Sequence, residues 1–246
     1  MSARRRTFAH ARTMLVGAAM LVVGLTGSAG ALASKGAPPA TARDLAQAYF
    51  SNTLTRAEVV SVVGRVVHDF RIDEGRVTAV RPGAIDLLER DGTRQTIVVG
   101  RQTQFSGGRV GGLPFALRGT RVVTLRDNDG PATLVRPSGT ARQLGKSLLG
   151  VALVRAEVVT YAAGTPRDIR IDEGKIAAVR PGSVTLLERD GTRQVIAIAS
   201  STAVTQSGQI VDSSSIVRGL AAIAVREGDG AAEQLYLAAG LGGFGR

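Results

Sequence analysis

Residues 71–95 read RIDEGRVTAVRPGAIDLLERDGTRQ, and residues 170–194 read RIDEGKIAAVRPGSVTLLERDGTRQ, with 19 of the 25 positions identical. The copies stand 99 residues apart (170 − 71), and the offset holds well outside the quoted stretch. TARDLAQAYFSNTLTRAEVV from Thr41 meets TARQLGKSLLGVALVRAEVV from Thr140. With one residue inserted, RGTRVVTLRDNDGPA from Arg118 meets RGLAAIAVREGDGAA from Arg218. Each copy is about 97 residues, a size at which a chain buries a core of its own, whereas solenoid units are too short to do so alone. The repeat therefore predicts two homologous modules, 41–136 and 140–237, joined by Pro137, Ser138 and Gly139.

Inside each copy the pattern is that of short strands. EVVSVV (58–63), RVTAV (76–80), AIDLL (84–88), QTIVV (95–99) and RVVTL (121–125) are rich in β-branched and aliphatic residues and bounded by turn formers. Pro82-Gly83 suits a type II turn, which needs a positive φ at its third residue. Asp91-Gly92 between two apolar runs is a strong hairpin signal. A two-residue loop there sets Arg90 opposite Thr93 and Glu89 opposite Arg94, making Glu89–Arg94 and Glu188–Arg193 cross-strand ion pairs worth about 0.2–1 kcal/mol each. Asp127–Gly130 and Glu227–Gly230 read as further turns, and so do Asp73-Glu74-Gly75 and their counterparts. The helical candidates are the lead-ins, Ala42–Phe50 and Ala141–Leu149. Closely spaced strands with turns between them predict an all-β chain with a small antiparallel barrel or sandwich per module.

The first copy carries Gly75 and Val77, Leu87-Leu88, Asp91-Gly92, Thr103 and Gly119; the second carries Gly174 and Ile176, Leu186-Leu187, Asp190-Gly191, Thr202 and Gly219. This pattern resembles a bacterial family of secreted small β-barrel repeats, catalogued as a domain of unknown function. The resemblance covers most of each module but not the lead-ins. It implies an OB-like barrel in an exported protein, and it implies no activity.

Export is also legible in the first 33 residues. MSARRRTFAHAR carries four arginines and no acid, then MLVGAAMLVVGLTGSAGALA runs 20 residues without a charge to small residues at Ala31 and Ala33. That layout predicts a cleavable signal peptide over 1–33, followed by a linker over 34–40. The alternative is an uncleaved anchor, since the run is long enough to span a bilayer. Arg5, Arg6 and Phe8 are similar to a twin-arginine motif, though Ala9 stands where Leu is usual. Removing the segment lowers the formal charge from +11 (31 − 20) to +7 (27 − 20). Such a charge suits attraction to anionic surfaces rather than nucleic-acid binding.

Composition excludes several chemistries. There is no cysteine, hence no disulfide, thiolate metal site or cysteine nucleophile. His68 is the one histidine after the signal segment, its counterpart is Arg167, and no Gly-x-Ser-x-Gly elbow accompanies it. GTARQLGKS from Gly139 departs from a phosphate loop by one residue of spacing. Asp127–Gly130 lacks the alternating ligands and terminal glutamate of a calcium loop. The few aromatic residues, 4% of the chain, are not interleaved with basic runs, as a base-stacking surface needs.

The expected protein is thus a non-enzymatic structural or binding component of the bacterial envelope, secreted or envelope-held, with no cofactor or metal. Its partner would be an anionic envelope component, without nucleic acid and without a membrane span in the mature chain. The alternatives are an exported hydrolase with a site between the modules and a nucleic-acid-binding OB-like protein. Residues shared by both copies are attributed to the fold, so the binding site is sought where the copies diverge. That places Arg101, Arg109, Arg118 and Arg121 in contact with the anion, on a glycine-rich connection free to approach a ligand. The tail 238–246 is expected to be loose.

Overall fold

The computed structural model describes residues 42–105, 117–150 and 152–238. The signal segment, the linker, Arg109 and the tail from residue 239 lie outside the described residues.

The chain is all-β, with two short helices where the lead-ins predict them: α1 (Ala42–Tyr49) and α2 (Ala141–Leu149). The first half continues with β1 (Leu54–Val63), β2 (Val66–Arg81), β3 (Ala84–Glu89), β4 (Arg94–Phe105), β5 (Arg121–Asp127) and β6 (Ala132–Pro137). The second half has β7 (Leu153–Ala162), β8 (Thr165–Arg180), β9 (Ser183–Glu188), β10 (Arg193–Ala197), β11 (Ala203–Gln206), β12 (Gln209–Ile210), β13 (Ala221–Glu227) and β14 (Ala232–Ala238). Among the described residues, no helix is long and apolar enough to cross a membrane.

In the first half, β2 pairs with β3, β3 with β4, β4 in parallel with β6, β6 with β5, and β5 returns to β2. In the second half, β8 pairs with β9 and β9 with β10; β11 lies parallel to β14, β14 pairs with β13, and β13 with β8. The pairings recur at the sequence offset: Arg56↔Asp73 has its counterpart in Arg155↔Asp172. Alternation on β3 and β9 sends Ile85, Leu87, Val184 and Leu186 inward. Each half thereby has its own apolar cluster, one around Val77, Ile97 and Phe105, the other around Ile176, Ile196 and Leu235.

A third cluster is shared by the halves. β1 pairs antiparallel with β7, setting Ala57 opposite Val158, Glu58 opposite Glu157 and Val59 opposite Ala156. Glu58 thus faces its own counterpart across the seam, and Ala57 and Val59 each face the counterpart of the other. The flanking bonds are reciprocal too: Val62 N–H donates to the Ala152 carbonyl (2.9 Å), and Tyr161 N–H to that of Thr53 (2.8 Å). Above the seam α1 meets α2, where fully buried Phe50 lies on Gly145; a Cβ there would stand 2.3 Å from the ring. The glycine of the apparent phosphate loop is therefore a helix-packing residue. The described strands β1 to β14 belong to one continuous sheet.

Two local expectations are corrected. Asp73-Glu74-Gly75 is not a turn but the middle of β2, which runs unbroken for 16 residues. A Cβ on Gly75 would stand 2.9 Å from the Leu88 carbonyl oxygen, and one on Gly174 2.8 Å from that of Leu187, so glycine lets the next strand cross closely. The Asp-Gly hairpin has three loop residues instead of two. Glu89 N–H donates to the Thr93 carbonyl (2.8 Å), Gly92 has φ +86°, and Leu88 rather than Glu89 faces Arg94. A one-residue shift exchanges the faces of a strand. Glu89 accordingly turns inward to Arg56 (2.8 Å) and Glu188 to Arg155 (2.7 Å), so the expected Glu89–Arg94 and Glu188–Arg193 pairs do not form.

Candidate anion-binding site

Directly opposed residues of adjacent strands point to one face. Arg76 on β2 is opposite Leu88 on β3, and Leu88 is opposite Arg94 on β4. The row continues on the other side of β2, where Arg76 faces Arg121 on β5. In the second half Lys175, Leu187 and Arg193 repeat the row, with Ala221 in place of Arg121. The three-residue hairpin loop is what aligns Arg94 and Arg193 with these rows.

A tight turn brings a further cation to each row. Gly119 (φ +85°) donates its N–H to the Val77 carbonyl (2.8 Å), and Val77 N–H donates to that of Thr120 (2.9 Å), which fastens the Arg118 turn to β2. Gly219 (φ +96°) and Leu220 make the same bonds with Ile176, both 2.8 Å. Only glycine adopts such a φ without strain. In the second half Lys175, Arg193 and Arg218 line a cleft of 270 Å³, together with Ile176, Ala177, Leu187 and Gly219.

Most arginines near the strand crossings are engaged in ion pairs. Arg56 holds Glu89 and Asp91 (2.8 and 2.7 Å), Arg155 holds Glu188 and Asp190 (2.7 and 2.8 Å), Arg126 holds Asp73 (2.8 Å) and Arg226 holds Asp172 (3.1 Å). By contrast, among the described residues Arg76, Arg94, Arg118, Lys175, Arg193 and Arg218 are all exposed and have no carboxylate within ion-pair distance. Their charge is left facing solvent.

Glu74 underlies the first row. It is 1% exposed, its Oε1 is 3.4 Å from Arg90 and 3.9 Å from Arg121, and its Oε2 has no hydrogen-bond partner. Burial pushes its carboxyl up to about 7, against the pull of Arg90 and Arg121. Burial, with Arg90 close by, also pushes Arg121 below its ordinary value. Glu173 and Arg189 repeat the arrangement at 3.5 Å, and burial again raises the carboxyl.

Of the four arginines expected to bind the anion, Arg101, Arg118 and Arg121 lie among the described residues. Arg118 and Arg121 join the first row, although Arg121 is partly drawn to Glu74. Arg101 is exposed on β4, seven residues beyond Arg94. Arg109 lies outside the described residues. Arg76 and Lys175 are missing from the expected set because residues shared by both copies are attributed to the fold, and Arg94 and Arg193 because a two-residue loop would pair them with Glu89 and Glu188. The sequence signal is limited to a cation at each of these positions in both copies; that they are unpaired follows from the register alone.

His68 bonds Asp127 through Nδ1 (2.8 Å) and stacks on Phe70 (centroids 5.4 Å apart). Arg167 and Glu227 occupy the equivalent places at 2.7 Å, so the position carries a basic residue beside a carboxylate in both halves. In the expected turns, Asp129 is held by Arg71 (2.8 Å) and Asp229 by Arg170 (2.5 Å). Comparison of the chain with known protein families, curated proteins and solved structures finds no match.

Proposed function

We propose that the protein is an exported, non-enzymatic binding component of the bacterial cell envelope, built from two OB-like β-barrels that each present a cationic row to an anionic envelope component. The OB-like reading is supported by the cyclic pairing of β2, β3, β4, β6 and β5, with a long first strand shared by two neighbours and one parallel contact. Export is supported by the arginine-led apolar segment ending at Ala31 and Ala33. The observation that carries the binding function is the recurrence of three unpaired, exposed cations at matching positions: Arg76 and Lys175, Arg94 and Arg193, Arg118 and Arg218. Fixed like charges at close quarters raise the local potential and attract anions with a strong salt dependence.

The test is retention of the mature chain on isolated envelopes. Changing the six row cations to Gln weakens low-salt retention by about 10-fold, a loss of about 1.4 kcal/mol, and the difference fades at high salt. A control variant removes equal charge at Arg43, Arg65, Arg136, Arg142, Lys146 and Arg180, all off the rows, and it stays near the wild type. Equal weakening by both variants would reduce the effect to net charge and refute a specific site.

A further inference from the structure

We infer that the two cationic rows act as one bivalent site, occupied by a single linear polyanion that carries phosphate-type groups along its length. This rests on the anion-binding reading and adds the geometry and class of the ligand.

The seam between the halves relates them by an approximate two-fold rotation. Glu58 faces its own counterpart Glu157, and Ala57↔Val158 is matched by Val59↔Ala156. Such an arrangement is that of an isologous interface, here within one chain. The axis passes between Glu58 and Glu157, normal to the local sheet, so the two rows stand at the same height along it.

Register places the rows relative to the axis. Glu58 is opposite Arg71 on β2, five residues before Arg76 (76 − 71). Glu157 is opposite Arg170 on β8, five residues before Lys175 (175 − 170). Since β1 and β7 are antiparallel, β2 and β8 leave the axis in opposite directions. At about 3.3 Å per residue the rows lie roughly 33 Å apart along the strands, less where β2 and β8 bend. A linear ligand spans that distance; a single small anion does not.

Two features favour a chain over a flat membrane. The second row lines a cleft of 270 Å³, into which a flexible chain bends and a planar head-group layer does not. Leu88 and Leu187 sit between cations in each row, so the positive charge comes in separated steps that match spaced anionic groups. Glu58 and Glu157, held by Arg71 (3.8 Å) and Arg170 (3.7 Å), stand on the opposite face of the sheet, because the five-residue step from Arg71 to Arg76 and from Arg170 to Lys175 is odd.

The energetic consequence is avidity. Once one row has captured the chain, the second binds a tethered segment at high effective concentration, which strengthens the whole by about 100-fold or more without a new contact.

Calorimetric titration of the full mature chain tests this with tripolyphosphate, long linear polyphosphate and phosphatidylglycerol vesicles. Two tripolyphosphates bind per chain, weakly. Long polyphosphate binds about 100-fold more tightly per protein. The triple variant Arg76→Gln/Arg94→Gln/Arg118→Gln leaves one tripolyphosphate site and brings the long chain down to the affinity of the short one. So does Lys175→Gln/Arg193→Gln/Arg218→Gln. Wild-type stoichiometry and length dependence need no variant and stand independently of any folding defect. Two sites with no length dependence would overturn bivalency and leave the anion-binding function intact. Tight binding to vesicles with none to polyphosphate of any length would replace the polymer by a membrane surface. No binding to any of the three probes would overturn both readings.

Discussion

Replacing Glu74 by Gln separates the pH dependence of folding from the rest of the charge network. The Glu74 carboxyl is 1% exposed, with one oxygen unpartnered and the other at 3.4 Å from its nearest cation. Burial lifts it from 4.5 to about 7. A carboxyl raised in the folded state binds its proton more tightly there than in the unfolded chain. Its contribution is therefore complete below pH 4.5 and is lost as pH climbs through 7. At 1.36 kcal/mol per unit, a rise of about 2.5 units corresponds to about 3 kcal/mol, lost at a slope approaching 1.4 kcal/mol per pH unit. Glu89 and Glu188 are raised to about 7 by the same cause, so the wild type declines more steeply still. Asp86, Asp91, Asp190 and Glu227 are lowered and act below this window. Gln keeps the shape of the side chain and removes its titration. Urea unfolding between pH 5 and 8, followed by circular dichroism, then shows Glu74→Gln close to the wild type at pH 5 and more stable by about 3 kcal/mol at pH 8. Parallel profiles, or a wild type that gains stability from pH 5 to 7, would refute the reasoning.

Two packing predictions address the seam and the parallel contacts. Gly145→Ala gains about 1 kcal/mol of helix propensity but sets a Cβ 2.3 Å from the Phe50 ring. Overpacking costs about 1–3 kcal/mol, so thermal unfolding shows net destabilisation, and Phe50→Leu in the same chain recovers part of it. A more stable Gly145→Ala variant would mean that the helices part freely. Thr103 accepts from Gly100 N–H (2.9 Å) and donates to the Ala132 carbonyl (2.5 Å); Thr202 does the same with Ala199 (3.0 Å) and Ala232 (2.6 Å). Thr103→Val strands the buried Ala132 carbonyl and the half-buried Gly100 N–H and costs about 2 kcal/mol by urea unfolding, while Thr202→Val, at a more exposed site, costs about 1 kcal/mol. Equal and negligible losses would deny these bonds a structural role.

Much of the local structure was legible. The 99-residue offset, the aliphatic strand runs, the helical lead-ins and the glycine turns are local patterns, and Gly83, Gly92, Gly119 and their counterparts all have the positive φ that such turns require. The Asp-Gly loop is one residue longer than expected: two- and three-residue hairpins share the same dipeptide, and they differ only in the Glu89–Thr93 bond and in the contact of Glu89 with Arg56, 33 positions away. Asp73 and Glu74 suggest a turn because they stand before Gly75 in Asp-Glu-Gly-Arg, a turn-forming composition. Their partners Arg126 and Arg90 arrive from other strands.

What the sequence by itself determined is the duplication, the strand-rich character, the absence of thiol chemistry and the surplus of positive charge, since repeats, periodicity and composition are all written along the chain. What only the tertiary structure decided is which charges are spent inside and which remain outside. Arg56, Arg126, Arg155 and Arg226 are consumed by buried carboxylates, while Arg76, Arg94, Lys175 and Arg193 are left in rows on the surface. The physical reason is register. Face and partner are set by hydrogen-bonded neighbours tens of residues away, and a shift of one residue would have exchanged the two sets.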